Sequence, residues 1–174
     1  MLIERKMIYQ GRVITVSIDD VELPNGVRIP LEIVRHPGGA AVVAVDGQSR
    51  ICLLHQYRHA AGGYIYELPA GKLEPAEPPE TTARRELVEE AERGAANWES
   101  LGAYFSSPGV FTEVIHLFLA TGLSEVSGRP DHDEVFQAEW WPLTQAVERA
   151  RSGELTDAKT IIGILRAAAR LKIA

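Results

Sequence analysis

The sequence predicts an α+β fold in which hairpins outnumber βαβ units. Three features support this. Val- and Ile-rich segments alternate with Pro and Gly turns in the first third of the chain, a charged helical segment covers about residues 80–93, and two more helical segments close the chain. With 174 residues, 45% of them hydrophobic and 24% charged, the chain is long enough for one compact domain.

The first 36 residues are predicted to form an antiparallel, strand-rich extension. Residues 13–23 and 27–34 favour strands, and Pro24-Asn25-Gly26 between them is typical of a turn. The run His36-Pro37-Gly38-Gly39 breaks the pattern, so we place a boundary between residues 1–36 and residues 37–174. Two or three strands are marginal alone and must pack against another surface.

Residues 37–174 contain the remaining predicted elements. We expect a hairpin of residues 40–45 and 51–57 around the turn Asp46-Gly47, and then a short strand at 64–68. Prolines at 75, 78 and 79 precede the helical segment at 80–93, where they suit its start. Further strands are predicted at 99–105, 114–120 and 135–141, and helices at 144–151 and 157–171, with Gly153 between the helices.

Composition and charge exclude several classes of protein. A net charge of −6 argues against binding nucleic acid through bulk charge, which needs a basic surface. No apolar run approaches about 18 residues, so we expect no membrane span, and the N-terminus lacks the apolar core of a secretory signal. Cys52 is the single cysteine, which excludes an internal disulfide and favours a reducing, cytoplasmic location.

The acidic excess is concentrated on one predicted helix. At about 100° per residue, the carboxylates of Glu86, Glu89 and Glu90 share one arc, and the flanking apolar residues Ala83, Leu87 and Ala91 would anchor the helix to a core. Clustered oxygen ligands without His or Cys suit Mg²⁺, or alternatively Mn²⁺, rather than zinc. The helix alone still favours a solvated charged face, because Arg85–Glu89 and Glu89–Arg93 are both i,i+4 pairs of opposite charge.

A wider pattern surrounds this helix. Seven residues fit G-x5-E-x7-R-E-U-x-E-E-x-G-U, where U is a bulky aliphatic residue: Gly71, Glu77, Arg85, Glu86, Leu87, Glu89 and Glu90. The pattern resembles the Nudix box, the loop–helix–loop signature of hydrolases that cleave nucleoside diphosphates linked to another group. Glu92 and Arg93 depart from its last two positions, and Gly94 predicts that the turn closing the helix is displaced towards it.

The resemblance implies an α/β/α sandwich with a mixed sheet. It also implies that Glu86, Glu89, Glu90 and the carbonyl of Ala70 hold Mg²⁺, with Mn²⁺ as the alternative. Gly71, Glu77 and Arg85 would then position the loop and helix rather than bind substrate. Metal ions held by such carboxylates neutralise a pyrophosphate and lower the pKa of the attacking water.

Three further features resemble the ADP-ribose pyrophosphatase branch of the family. Residues 67–72 run directly into the box, with Gln56-Tyr57-Arg58 upstream of them. Pro108, in Ser106-Ser107-Pro108-Gly109, lies fifteen residues after Arg93. An acidic loop at 131–134 precedes the last predicted strand. The resemblance implies substrate contacts at Arg58, Pro108 and Gly109, and catalytic roles for Glu134, as general base, and for Glu89.

The expected reaction is metal-dependent hydrolysis of ADP-ribose to AMP and ribose 5-phosphate. Two alternatives stay open: hydrolysis of another nucleoside diphosphate sugar, such as GDP-mannose, and a non-catalytic Nudix-like module that binds a nucleotide. The resemblance also implies a homodimer formed through the N-terminal strands. Beyond the small-molecule substrate and a second copy of the chain, neither nucleic acid nor a membrane is expected as a partner.

Overall fold

The computed structural model describes residues 1–128 and 135–173. Its elements, in chain order, are β1 (Leu2–Gln10), β2 (Thr15–Glu22), β3 (Arg28–Arg35), β4 (Gly39–Ala44), β5 (Arg50–Arg58), β6 (Gly63–Glu67), β7 (Ala70–Lys72), α1 (Pro79–Ala91), β8 (Arg93–Phe105), β9 (Val114–Glu125), β10 (Phe136–Pro142), α2 (Leu143–Ser152) and α3 (Ala158–Leu171). A short 3₁₀ helix, His59–Ala61, links β5 to β6. No helix in the described ranges is long and apolar enough to cross a membrane.

The described strands form three sheets. The N-terminal sheet has the order β1-β2-β3 and is antiparallel. A mixed sheet has the order β7-β4-β9-β8, in which β4 and β9 run parallel. The third sheet, β10-β5-β6, is antiparallel. The prediction of an α+β fold with a mixed sheet and an antiparallel N-terminal extension is confirmed.

Helices cover both faces of the two central sheets. Val42 and Leu54 belong to the apolar cluster that includes Leu87 of α1. Their neighbours Val43 and Leu53 belong to a second cluster with residues of α2 and α3. Since successive residues of a strand point to opposite faces, α1 lies on one side and α2 and α3 lie on the other. This is the α/β/α sandwich that the Nudix resemblance implies.

The predicted hairpin of residues 40–45 and 51–57 is wrong. Only Val45 and Ile51 pair, as an isolated bridge beside the turn, and β4 and β5 then enter different sheets. All six residues of β4 are buried, as are the four from Ile51 to Leu54. Strands that are apolar on both faces suit central positions under two helical layers better than a half-exposed hairpin.

The N-terminal sheet contains a strand that the sequence analysis missed. All nine residues of β1 are exposed, so no buried face imposes a clear alternation on its sequence. The sheet is joined to the following region where the Val34 N–H donates to the Val110 carbonyl at 2.8 Å and the Val34 carbonyl accepts from the Thr112 N–H at 2.9 Å. The short strand β7 was also missed, although it includes two predicted site residues.

The carboxyl end of α1 differs from the expected displaced turn. Glu92 itself adopts the left-handed conformation, with φ 51° and ψ 40°, and its N–H bonds to the Val88 carbonyl at 3.1 Å. The prediction that the turn moves to Gly94 is therefore wrong. Because the helix ends before Arg93, the structure shows that side chain beside Glu125, at 3.4 Å, and over the Trp140 ring, rather than in the predicted pair with Glu89.

Candidate active site

A cavity of about 480 Å³ lies where α1, β7 and the start of α3 meet. Its lining brings acidic and basic side chains from distant parts of the sequence to one place. The lining includes His36, Arg58, Ala70, Gly71, Arg85, Glu86, Glu89, Tyr104, Glu113, Asp157 and Lys159.

The three predicted carboxylates of α1 lie close to this cavity. Glu86 and Glu89 line it, and Glu90 is buried and accepts a 2.8 Å hydrogen bond from the Ala70 N–H. That bond ties the first residue of β7 to the helix. Ala83, Leu87 and Ala91 are buried, so the predicted anchoring of the helix is confirmed.

Gly71 allows the helix to approach β7. A Cβ atom at this position would lie only 1.7 Å from Oε1 of Glu86. Any side chain at residue 71 would therefore displace the Glu86 carboxylate. The glycine leaves the space that this carboxylate occupies at the cavity wall.

Arg85 holds the acidic residues together. Its Nη1 atom lies 2.6 Å from Oε1 of Glu86 and 2.9 Å from Oε2 of Glu89, and its Nε atom lies 3.5 Å from Oε1 of Glu77. Burial lowers the pKa of Arg85, but the charge of Glu86 and the bonds to Glu77 and Glu89 outweigh it and raise the pKa. Arg85 is therefore a permanent cation among three carboxylates.

Glu77 fixes the loop that leads into α1. Its Oε2 atom accepts hydrogen bonds from the Thr82 hydroxyl at 2.8 Å and from the Glu74 N–H at 3.2 Å. The Thr82 bond is the main reason that the pKa of Glu77 lies below its usual range, and the bonds from Glu74 and Arg85 act in the same direction. These contacts agree with a positioning role for Glu77 and Arg85.

The donor set suits a hard divalent cation. The nearby donors on α1 are carboxylate oxygens, and one atom, Arg85 Nη1, reaches both Glu86 and Glu89, so these two carboxylates face a common point. Arg85 lies between Glu86 and Glu89. Within residues 1–128 and 135–173, no three Asp, Glu, His or Cys side chains lie close enough together to hold a metal ion. Carboxylate oxygens are nevertheless the donor type that hard divalent cations prefer.

A second charged group surrounds the buried carboxylate of Glu67. Oε2 of Glu67 accepts from Arg58 Nε at 3.0 Å and from Nη2 at 2.7 Å, and its Oε1 lies 3.2 Å from Nζ of Lys159. Lys159 also lies 3.1 Å from Asp157, the N-cap residue of α3. Both cations, Arg58 and Lys159, line the same cavity as Glu86 and Glu89.

Comparison with known proteins decides the family. The model of the NUDIX domain matches residues 35–161, which include both charged groups of the cavity. The chain belongs to the Nudix family.

Several known proteins are similar to this chain over most of its length. An ADP-ribose pyrophosphatase of Bacillus subtilis is 42% identical over 93% of this chain and 89% of its own length. A methanol dehydrogenase activator of Bacillus methanolicus is 41% identical over the same shares. A GDP-mannose pyrophosphatase of Cronobacter sakazakii is 32% identical over 75% of this chain and 77% of its own length. A crystal structure of an ADP compounds hydrolase, 24% identical, matches with a TM-score of 0.85 over 99% of this chain and 94% of that chain, which shows the fold.

The structure brings most of the predicted site residues to the cavity, but not all of them. The structure brings Arg58, Ala70, Gly71, Arg85, Glu86 and Glu89 to one cavity, with Glu77 and Glu90 in contact with members of that set. Pro108 and Gly109 lie in an exposed turn and are not among the residues that line the cavity, although the nearby Ser106 is. Glu134 lies outside the described residues, so its predicted role stays a prediction.

Sequence reasoning missed several residues of the cavity. Burial, and then the negative charges of Asp157 and Glu113, raise the pKa of Tyr104, so its hydroxyl stays protonated. His36 accepts a hydrogen bond from the Gly38 N–H at Nδ1, which also lies 3.3 Å from Oε1 of Glu113. The one local signal was Asp157, an acidic residue at the start of the predicted helix of residues 157–171, and it is the N-cap of α3.

Proposed function

We propose that this Nudix protein hydrolyses the pyrophosphate bond of ADP-ribose and releases AMP and ribose 5-phosphate. The observation that carries the proposal is that a carboxylate set suited to a divalent cation and the cation Arg58 line one cavity of about 480 Å³. Such a volume suits a ligand of nucleotide-sugar size. The Bacillus subtilis relative, named an ADP-ribose pyrophosphatase, supports the choice of substrate.

Glu86, Glu89, Glu90 and the carbonyl of Ala70 would hold Mg²⁺, with Mn²⁺ as the alternative. When bound, the ion neutralises phosphate charge and lowers the pKa of water. Arg58 binds a phosphate oxygen, since a guanidinium matches phosphate geometry. Glu134 accepts a proton from the attacking water, whose oxygen bonds to one phosphorus while the bridging P–O bond breaks. The departing oxygen leaves with the other phosphate.

Replacing Glu90 tests the metal site. We expect Glu90→Gln to lower kcat by about 100-fold or more, because the amide removes a charge that a divalent cation requires. The measurement is AMP release from ADP-ribose at saturating Mg²⁺, with circular dichroism to check the fold. Glu80→Gln is the matched control, because Glu80 is exposed on the first turn of the same helix and should keep wild-type kcat. A Glu90→Gln enzyme with near-wild-type kcat would contradict the assignment.

Replacing Glu134 tests the general base. We expect Glu134→Gln to lower kcat with little change in substrate affinity, since the amide cannot accept the proton from water. Initial rates over a range of ADP-ribose concentrations separate the two parameters. An unchanged kcat would move the base to another residue.

Two alternatives can be separated from this function. The Cronobacter sakazakii relative favours GDP-mannose as a second substrate candidate, and a panel of nucleoside diphosphate sugars, with detection of the nucleoside monophosphate released from each, ranks it against ADP-ribose. A non-catalytic module would bind ADP-ribose in Mg²⁺, as measured by calorimetry, without forming AMP. Products compared with and without a chelator test the need for metal.

We also propose a cytoplasmic homodimer that forms through the N-terminal strands. The exposed apolar residues of β1 support this assembly, since five of them are about half exposed: Leu2, Ile3, Met7, Ile8 and Tyr9. An apolar surface of this kind needs a partner. The single cysteine, Cys52, is buried and free, which fits a reducing compartment.

A further inference from the structure

Two charged residues without a role in the proposed reaction lie beside Arg58. The side chains of Glu67 and Lys159 are 4% and 15% exposed, whereas that of Arg58 is 41% exposed. Glu67 bridges the two cations, with one carboxylate oxygen towards each. Lys159 is 92 positions from Glu67 in the chain, so only the folded protein brings them together.

Glu67 stays ionised although it is buried. Burial raises the pKa of its carboxyl, but the hydrogen bonds from Arg58 and the charge of Lys159 outweigh burial and hold the pKa below its usual range. A buried carboxylate is tolerated only when it is paired and hydrogen-bonded. Arg58 and Lys159 both stabilise the charged form of Glu67. Each of them therefore strengthens the contact that the other makes with this carboxylate.

Glu67 contributes to the orientation of Arg58. Arg58 is the last residue of β5, and a long guanidinium side chain has many rotamers among which its contacts select. The two bonds to Glu67 use Nε and Nη2, which fixes the plane of the guanidinium. A cation fixed before binding loses less entropy when it contacts a phosphate.

Lys159 is itself held in place by the first turn of α3. Asp157 caps this helix by accepting from the Thr160 N–H at 3.0 Å, and it also lies 3.1 Å from Lys159. The Thr160 hydroxyl donates to Asp157 at 2.6 Å and accepts from the Leu68 N–H at 2.8 Å. Since Leu68 follows Glu67, these bonds fix the helix start against the segment that carries Glu67.

We propose that Glu67 and Lys159 are positioning residues, and that Lys159, acting through Glu67, holds the Arg58 guanidinium in the orientation that binds a substrate phosphate. This inference rests on the proposed function for the nature of the ligand, a pyrophosphate. It assigns to Lys159 an effect on substrate affinity and none on the proton transfers.

Lys159→Met tests the inference against Lys172→Met, the same change at the other end of α3. We expect Lys159→Met to raise the KM for ADP-ribose by about tenfold and to change kcat by less than about threefold, while Lys172→Met changes neither. Lys159→Arg, which keeps the charge, should restore most of the affinity. An unchanged KM, or a loss confined to kcat, overturns the inference.

A double-mutant cycle distinguishes action through Arg58 from direct contact with substrate. If Lys159 acts through Arg58, the KM of Arg58→Met/Lys159→Met stays within about twofold of that of Arg58→Met. Effects that multiply would show that Lys159 acts independently and would overturn the inference. Should Lys159→Met not fold, Glu67→Gln replaces it in the same cycle, with the same expected rise in KM.

Binding of inorganic pyrophosphate separates this inference from the proposed function. Calorimetry in Mg²⁺ should show about tenfold weaker binding for Lys159→Met than for the wild type, whether or not ADP-ribose is the substrate. If the wild type does not hydrolyse ADP-ribose, the proposed function fails, and the ratio of pyrophosphate affinities still decides the inference. Equal affinities, or no binding by the wild type, overturn it.

Discussion

Gly71 and Glu86 show how one small residue determines the position of a carboxylate. The Glu86 side chain occupies the space that a Cβ atom of residue 71 would need, and Glu90 bonds to the backbone of the residue before Gly71. The β7 backbone therefore lies against two carboxylates of α1 at once. Glu92 is the opposite case, in which a glycine is not needed. At the end of α1 the Nudix pattern has glycine, and here Glu92 adopts the left-handed conformation instead.

We expect Gly71→Ala to lower both activity and stability. The added Cβ must displace Glu86, so kcat should fall, and the free energy of unfolding should decrease by about 1–3 kcal/mol, as for other overpacked sites. Gly47→Ala is the control, because no atom beyond the adjacent residues lies within 4 Å of its Cβ position. AMP release and urea denaturation measure the two effects. A wild-type kcat and free energy of unfolding for Gly71→Ala would contradict this prediction, because α1 could then move away from β7 without loss of stability.

The three strands of the N-terminal sheet are joined by a shared ion cluster. Asp19 of β2 contacts Arg5 of β1 at 3.1 Å and Arg35 of β3 at 2.6 Å, and it accepts a 2.7 Å bond from the Ser17 hydroxyl. The hydrogen bond from Arg5, followed by that from Ser17, holds the pKa of Asp19 well below its usual range. This small sheet is thus stabilised by charge where it has little apolar core.

The Asp19 cluster makes stability depend on pH. Because the folded state depresses the pKa of Asp19, its contribution is complete above the ordinary carboxyl pKa of about 4 and is lost as the pH falls further. We expect Asp19→Asn to reduce the free energy of unfolding at about pH 7 and to weaken its decline towards about pH 3. Urea denaturation over this range is the measurement, with Asp20→Asn, an exposed neighbour, as control. Parallel curves for wild type and Asp19→Asn would contradict this.

At the scale of the whole molecule, β1 determines the expected assembly. We expect the wild type to sediment as a dimer at micromolar concentration and Ile8→Glu to sediment as a monomer, since a charge in place of an apolar side chain of β1 opposes burial of that side chain. Val126, an exposed apolar residue directly after β9, provides the control, and Val126→Glu should stay dimeric. A monomeric wild type would contradict the proposed homodimer.

Residue spacing predicted the parts of the molecule that local structure determines. The period of the helix placed Glu86, Glu89 and Glu90 near one another, and the Nudix pattern identified Gly71, Glu77 and Arg85 around them. Spacing could not reveal the Glu67–Lys159 contact, because tertiary packing alone joins residues so far apart. Spacing also led to a wrong prediction at the turn Asp46-Gly47. The same turn residues can join the two strands of a hairpin or, as here, two strands that belong to different sheets.

The parallel pairing of β4 with β9 has a consequence during synthesis of the chain. Gly39 of β4 pairs with Ile115 of β9, 76 residues later. At about 5–20 residues per second, a ribosome needs about 4–15 seconds to make that interval. Until then β4 lacks the strand that covers one of its edges. A nascent chain halted before residue 115 therefore exposes to chaperones and to other chains a strand whose six residues are all buried in the folded protein.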